Sequence, residues 1–150
     1  MIDGPQGYGR RMRVVFVCTG NICRSPMAEG FARAVAGGVE FSSGGTHAVV
    51  GHEATAAAQR VLAEVGIDVS EHRARLVHDA LVPLPDAVYA MTLRQVDAVL
   101  ADHRELAGRV ELLDPTGREV EDPYGADESV YRAVRDQIRR AIGERAAAWR

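Results

Sequence analysis

A charge-free apolar run that breaks into a glycine-bearing turn and then a helix leaves a chain few folds to adopt. Val14-Val15-Phe16-Val17 is such a run and reads as a buried strand, while Met27 to Ala36 carries apolar residues at helical spacing. Between them lies Cys18-Thr19-Gly20-Asn21-Ile22-Cys23-Arg24-Ser25-Pro26. A thiol is thus placed at a strand-to-helix turn.

The rest of the chain repeats the alternation. Gly37-Gly38 stops the first helix, Val39 to Ser42 alternates as a second strand, and Ser43-Gly44-Gly45-Thr46-His47 breaks the pattern. Ala58, Val61, Leu62 and Val65 predict a helix over 54–65 that ends at Gly66. Residues 67–80 read as a turn followed by a short helical or irregular stretch holding His72, Arg73 and Arg75. A third strand covers 87–91, Thr92 is placed to cap a helix over 93–102, and 109–113 is a fourth strand. Two Asp-Pro pairs mark 114–127 as a loop, and Ser129 to about Trp149 forms a long amphipathic helix that covers the sheet. Residues 1–11, with Gly4, Pro5, Gly7 and Gly9, read as a flexible extension of solvated charges and glycines, leaving 12–150 as one domain. Strands alternating with helices predict an α/β three-layer sandwich, a four-stranded parallel sheet flanked by helices. Such sheets bind ligands beyond the carboxyl ends of their strands, where Cys18 falls.

The turn has a chemistry of its own. Backbone N–H groups of a tight turn that opens a helix combine with the helix dipole into an anion site. Gly20 permits a positive φ and Asn21 tolerates one. Arg24 adds a planar fork matched to phosphate oxygens, and the same surroundings stabilise Cys18 as a thiolate. The Ser25 hydroxyl can donate to the Cys18 sulfur, and it also stands where the first helix needs an N-cap. A thiolate that attacks a phosphoryl group needs an acid for the leaving oxygen and a base for the water that follows. Asp122, stiffened by Pro123 on a long loop, is the candidate for both; Asp114-Pro115 reads as a turn.

Cys18, five residues, Arg24 and Ser25 make the signature Cys-x5-Arg-Ser, and the string VCTGNICRSPMAE closely resembles the low-molecular-weight protein tyrosine phosphatases. The similarity runs from about Arg13 to the end. It implies a phosphotyrosine protein phosphatase I-like fold and hydrolysis of phosphotyrosine through a phosphocysteine, with Cys18, Arg24 and Asp122 catalytic. It also implies that Thr19, Gly20, Asn21, Ile22 and Cys23 form the phosphate loop, and that Ser25, Ser43 and His72 hold Asn21 in a strained conformation. Cys23 would pair reversibly with Cys18, and Ile22 and Tyr124 would line the substrate pocket. The family's usual aromatic walls are thinner here: the loop at 46–51 lacks a Trp, and Gly125 follows Tyr124.

Asp122-Pro123-Tyr124-Gly125 and Ala90-Met91-Thr92 also resemble the bacterial branch that dephosphorylates protein arginine. That branch typically carries Thr where this chain has Ile22, an apolar residue that favours an aromatic ring over a guanidinium. Phosphotyrosine is therefore the expected substrate and phosphoarginine the alternative. A thioredoxin-coupled arsenate reductase would need cysteines downstream of Cys23, and none exists. A phosphocarrier domain or a non-catalytic phosphate-binding module would have no need of Arg24 and Asp122 together.

Composition limits the partners. A net charge of -3 gives no basic surface for nucleic acid, no apolar run is long enough to span a membrane, and two cysteines in one loop do not make a secreted disulfide framework. The expected setting is the cytoplasm and the expected partner a phosphorylated protein. Five histidines without spaced partners and two thiols leave no metal or other cofactor to expect.

Overall fold

The computed structural model describes residues 10–149, so most of the expected extension at 1–11 lies outside the described residues. The strands are β1 (Arg13–Cys18), β2 (Glu40–Gly45), β3 (Ala87–Ala90) and β4 (Val110–Leu112). The helices are α1 (Arg24–Val35), α2 (Ala56–Ala63), α3 (Val77–Ala80), α4 (Leu93–Asp102) and α5 (Glu128–Arg145), with single 3-10 turns at Arg104–Leu106 and Ala146–Ala148. All strand pairs are parallel, in the order β2-β1-β3-β4. Among the described residues no helix is long and apolar enough to cross a membrane.

The apolar run at 14–17 explains this order. All four side chains are fully buried, because β1 is an interior strand covered on both faces. Val14 and Phe16 pack with α1, α2 and α5, whereas Val15 and Val17 pack with α3 and α4. Phe16, Phe41, Tyr89 and Trp149 meet in one aromatic group, with the Phe41 and Trp149 rings 5.1 Å apart and edge to face. Each such buried side chain contributes about 1.5–3 kcal/mol from burial alone.

Several boundaries differ from the sequence reading for identifiable reasons. Helix α1 starts at Arg24 rather than Met27, since Pro26 falls in the first turn, where a missing N–H costs nothing. Its N-cap is Cys23 without any side-chain cap, so Ser25 is not the cap that its type suggested. Thr55 caps α2, and Thr92 with Gln95 forms a reciprocal capping box on α4. Arg10 is not a free charge: its guanidinium grips Asp86 at 2.6 and 2.9 Å, while the Arg13 N–H donates to the same carboxylate.

Strand β2 ends in two glycines because backbone passes close on both sides. A Cβ at Gly44 would lie 2.6 Å from Val77 Cα, and one at Gly45 would lie 2.4 Å from the Thr19 carbonyl oxygen. At Gly37 nothing stands within 4 Å. We expect Gly45→Ala to cost about 1–3 kcal/mol by overpacking, and Gly37→Ala to stay within about 0.5 kcal/mol of the parent. Urea denaturation compares them directly; equal midpoints would remove the steric argument.

Candidate active site

Cys18 ends β1 with its side chain buried at the floor of a cleft of about 370 Å³, which Arg24, Asp122 and Tyr124 also line. The loop after it is turned in a particular sense. The carbonyls of Cys18, Thr19, Gly20 and Ile22 accept from the N–H groups of Thr46, His47, Val49 and Thr55 at 2.9–3.1 Å. In a planar trans peptide the next residue's N–H points the opposite way. The N–H groups of Thr19, Gly20, Asn21 and Cys23 are thereby aimed away from the β2–α2 segment, and that of Asn21 reaches the Cys18 sulfur at 3.2 Å.

Asn21 is the only described non-glycine residue with positive φ, at 60°. Every polar group it owns is engaged. Its side-chain amide donates to Ser25 Oγ at 2.7 Å and Ser43 Oγ at 3.0 Å, its Oδ1 accepts from the Arg75 N–H at 2.9 Å, and its carbonyl accepts from His72 Nε2 at 2.6 Å. Because Ser25 Oγ accepts from Asn21, its own hydrogen is free for the Cys18 sulfur 2.9 Å away. Ser43 in turn donates to Glu29 Oε1 at 2.7 Å. Ser25, Ser43 and His72 all meet Asn21 as expected; Glu29 and the Arg75 backbone complete the set and carried no motif to announce them.

Arg24 is buried, donates from Nη1 to the Val120 carbonyl at 2.9 Å, and brings Nη2 within 3.7 Å of Asp122 Oδ2. Its Nε is buried and has no hydrogen-bond partner among the described residues. The Asp122 side chain is 55% exposed, and its other oxygen accepts from the Tyr124 N–H. The loop that presents it is anchored by Asp114, which is not a plain turn residue. Its carboxylate is fully buried and accepts from the Thr116 N–H and hydroxyl, Gln137 and Arg140. Burial alone would push this carboxyl up; those hydrogen bonds outweigh burial and hold it well below the usual carboxylate range.

Cys23 lies in the same cleft as a free thiol, with Tyr131 Oη at 3.5 Å and Thr55 Oγ1 at 3.6 Å. Burial pushes the Cys23 thiol up, and burial together with the Cys23 contact pushes the Tyr131 phenol up to about 12. The walls are Ile22 and Val49 beside Gly20, with Tyr124, His47 and His52 at the rim. Sequence reasoning missed the two histidines. Their signal was slight, a pair of imidazoles in a loop bounded by glycines.

A parallel α/β sheet whose first strand ends in a thiol, met by a loop N–H and a hydroxyl and sharing its cleft with a buried guanidinium and a carboxyl, defines a cysteine-dependent phosphatase. The chain belongs to the low molecular weight phosphotyrosine protein phosphatase family, whose sequence model matches residues 13–148. Two relatives are similar to the chain over most of their length. The low molecular weight protein-tyrosine-phosphatase Etp of Escherichia coli K12 is 33% identical over 133 residues, covering 87% of this chain and 90% of Etp. The protein-arginine-phosphatase of Geobacillus stearothermophilus is 35% identical over 135 residues, covering 87% and 90%. The crystal structure of the tyrosine phosphatase AmsI of Erwinia amylovora superposes with a TM-score of 0.87 at 26% identity, covering 95% of this chain and 96% of that one.

Asn21→Ala leaves two hydroxyls and one N–H short of a partner and is expected to lose about 1–3 kcal/mol of stability, with weaker binding of sulfate or vanadate measured by calorimetry. Asp114 has a depressed folded pKa, so its contribution is complete above the unfolded value of about 3.9 and is lost as pH falls through the folded one. The urea-stability gap between the parent and Asp114→Asn should therefore be constant near neutrality and shrink below about pH 4. A gap that widens in acid would contradict the assignment.

Proposed function

We propose that the protein is a phosphoprotein phosphatase that hydrolyses phosphotyrosine through a phosphocysteine on Cys18. One observation carries this reading. The Cys18 sulfur receives the Ser25 hydroxyl at 2.9 Å and the Asn21 N–H at 3.2 Å, in the cleft that also holds Arg24 and Asp122. Two hydrogen-bond donors converge on the one sulfur that shares its cleft with Arg24 and Asp122, the arrangement a nucleophile for phosphoryl transfer needs.

The thiolate attacks phosphorus in line, and the S–P bond forms as the bond to the phenolic oxygen breaks. The N–H groups of Thr19 to Cys23 and the Arg24 fork hold the equatorial oxygens. Asp122, entering as the acid, gives its proton to the departing oxygen. As a carboxylate it then takes a proton from water, which attacks the phosphocysteine; the S–P bond breaks, phosphate leaves, and Cys18 returns as a thiolate that Ser25 stabilises. Ser43 and His72 act through Asn21. A peroxide that oxidised Cys18 to its sulfenic acid would be answered by the Cys23 thiol, which expels water and closes a disulfide that an external thiol reduces, and the sulfur is thereby shielded from over-oxidation.

Ile22, Val49 and Tyr124 give the cleft apolar walls suited to a flat ring. The second reading, phosphoarginine, is favoured by the 35% identity to a protein-arginine-phosphatase. The partner in either case is a phosphorylated protein, and two free thiols suit a cytoplasmic setting.

Purified protein assayed on a phosphotyrosine peptide and a phosphoarginine protein decides the substrate; turnover of only the latter reverses the order of the two readings. Cys18→Ser is expected to abolish turnover, and hydrolysis surviving in it would end the phosphocysteine mechanism. Asp122→Ala should lower kcat by about 10²–10⁴ with phosphate binding retained. Arg24→Lys should impair both, because an ammonium cannot reproduce the fork.

A further inference from the structure

Gln95 plays no part in the steps above, although its placement is demanding. Its side chain is buried, 4% of the residue being exposed, at the start of α4. Its Oε1 accepts from the N–H groups of Met91 at 2.9 Å and Thr92 at 3.1 Å, which closes the β3–α4 turn. Its Nε2 crosses to the phosphate loop and donates to Thr19 Oγ1 at 3.1 Å. A glutamine needed only for capping would be free to turn its amide nitrogen to water. Here the nitrogen is committed to the residue next to Cys18.

That bond decides what Thr19 can do. A hydroxyl has one hydrogen to give and two lone pairs to offer. With Gln95 donating to the oxygen, the hydrogen of Thr19 remains for a partner on the open side. Thr19 lines the cleft over Cys18 and also the neighbouring one, and the two clefts share Arg24 and Asp122 as well. The Thr19 backbone is fixed independently, since its carbonyl accepts from the His47 N–H at 2.9 Å. The carbonyl and the hydroxyl oxygen are therefore both held, and the hydroxyl hydrogen is a donor left over beside the backbone N–H.

We propose that Gln95 is a positioning residue that orients the Thr19 hydroxyl as a donor to the phosphoryl oxygens, beside the loop amides and Arg24. This rests on the phosphatase reading and adds two residues to it, one that touches the phosphoryl group and one that acts through the first. It also gives the β3–α4 turn a reason to pack against the loop. The buried amide transmits the position of α4 to the residue adjoining the nucleophile.

A double-mutant cycle tests it. The parent, Thr19→Val, Gln95→Ala and the double variant are compared for kcat and KM on para-nitrophenyl phosphate, and for inhibition by inorganic phosphate. Thr19→Val at this exposed position is expected to fold normally, to lower kcat/KM and to raise the phosphate inhibition constant, each by about two- to tenfold. Gln95→Ala should reproduce both changes, and the double variant should be no worse than Gln95→Ala, because the two act as a unit. Parent-like phosphate inhibition in folded Thr19→Val, or losses that multiply in the double variant, would overturn the proposal. A purely structural role for Gln95 would lower the denaturation midpoint and leave the phosphate inhibition constant unmoved, which also overturns it. If the parent itself does not turn over para-nitrophenyl phosphate, the phosphatase reading fails as well, and the two failures are told apart.

Discussion

The structure turns on one residue held in an unfavourable backbone conformation. Asn21 at φ 60° carries a cost of order 1–3 kcal/mol, and it persists because four residues from three separate parts of the chain hold it. Ser25 lies in α1, Ser43 in β2, and His72 and Arg75 in the segment before α3. Relaxing Asn21 to an ordinary conformation would break contacts to all of them at once. The gain is a loop whose peptide groups are turned, carbonyls toward the β2–α2 segment and N–H groups away from it. Such preorganisation costs no reorientation when charge develops at the site.

Burial divides the labour among groups that sequence alone treats as similar. Cys18 and Cys23 are both buried thiols five residues apart, but only Cys18 has a hydroxyl at 2.9 Å and an N–H at 3.2 Å on its sulfur. Cys23 faces Tyr131 and Thr55, and burial pushes it toward the neutral form. Arg24 and Asp122 are divided in the same way. The guanidinium is buried and fixed to the Val120 carbonyl, whereas the carboxyl stands half in water.

How much of this was legible depended on whether the signal was local. The strand at 14–17, the turn after it and the alternation of helices and strands follow from periodicity and glycine placement, and they fix the sheet and the position of Cys18. Thr92 as a cap was readable because a cap is defined by its nearest neighbours. Pro26 misled for the same reason: locally it resembles a helix boundary, yet it fits the first turn of α1. Contacts set by tertiary packing left no trace. Glu29 resembles any exposed helix glutamate until β2 brings Ser43 to it, and Asp114 resembles a turn former until α5 delivers Gln137 and Arg140. The cleft walls at His47, Val49 and His52 follow from how the β2–α2 segment docks on the phosphate loop, a docking that no spacing rule describes.

The long segment that presents Asp122 is pinned along its length. Asp114 fastens its start, the Val120 N–H donates to the Met91 carbonyl at 2.9 Å while the Val120 carbonyl receives Arg24, and Asp127 closes it by capping α5. Between Val120 and Asp127 every residue but Pro123 is exposed. The Asp122 carboxyl thus sits on a tethered segment, and its own movement there is side-chain rotation, which runs on the picosecond-to-nanosecond scale.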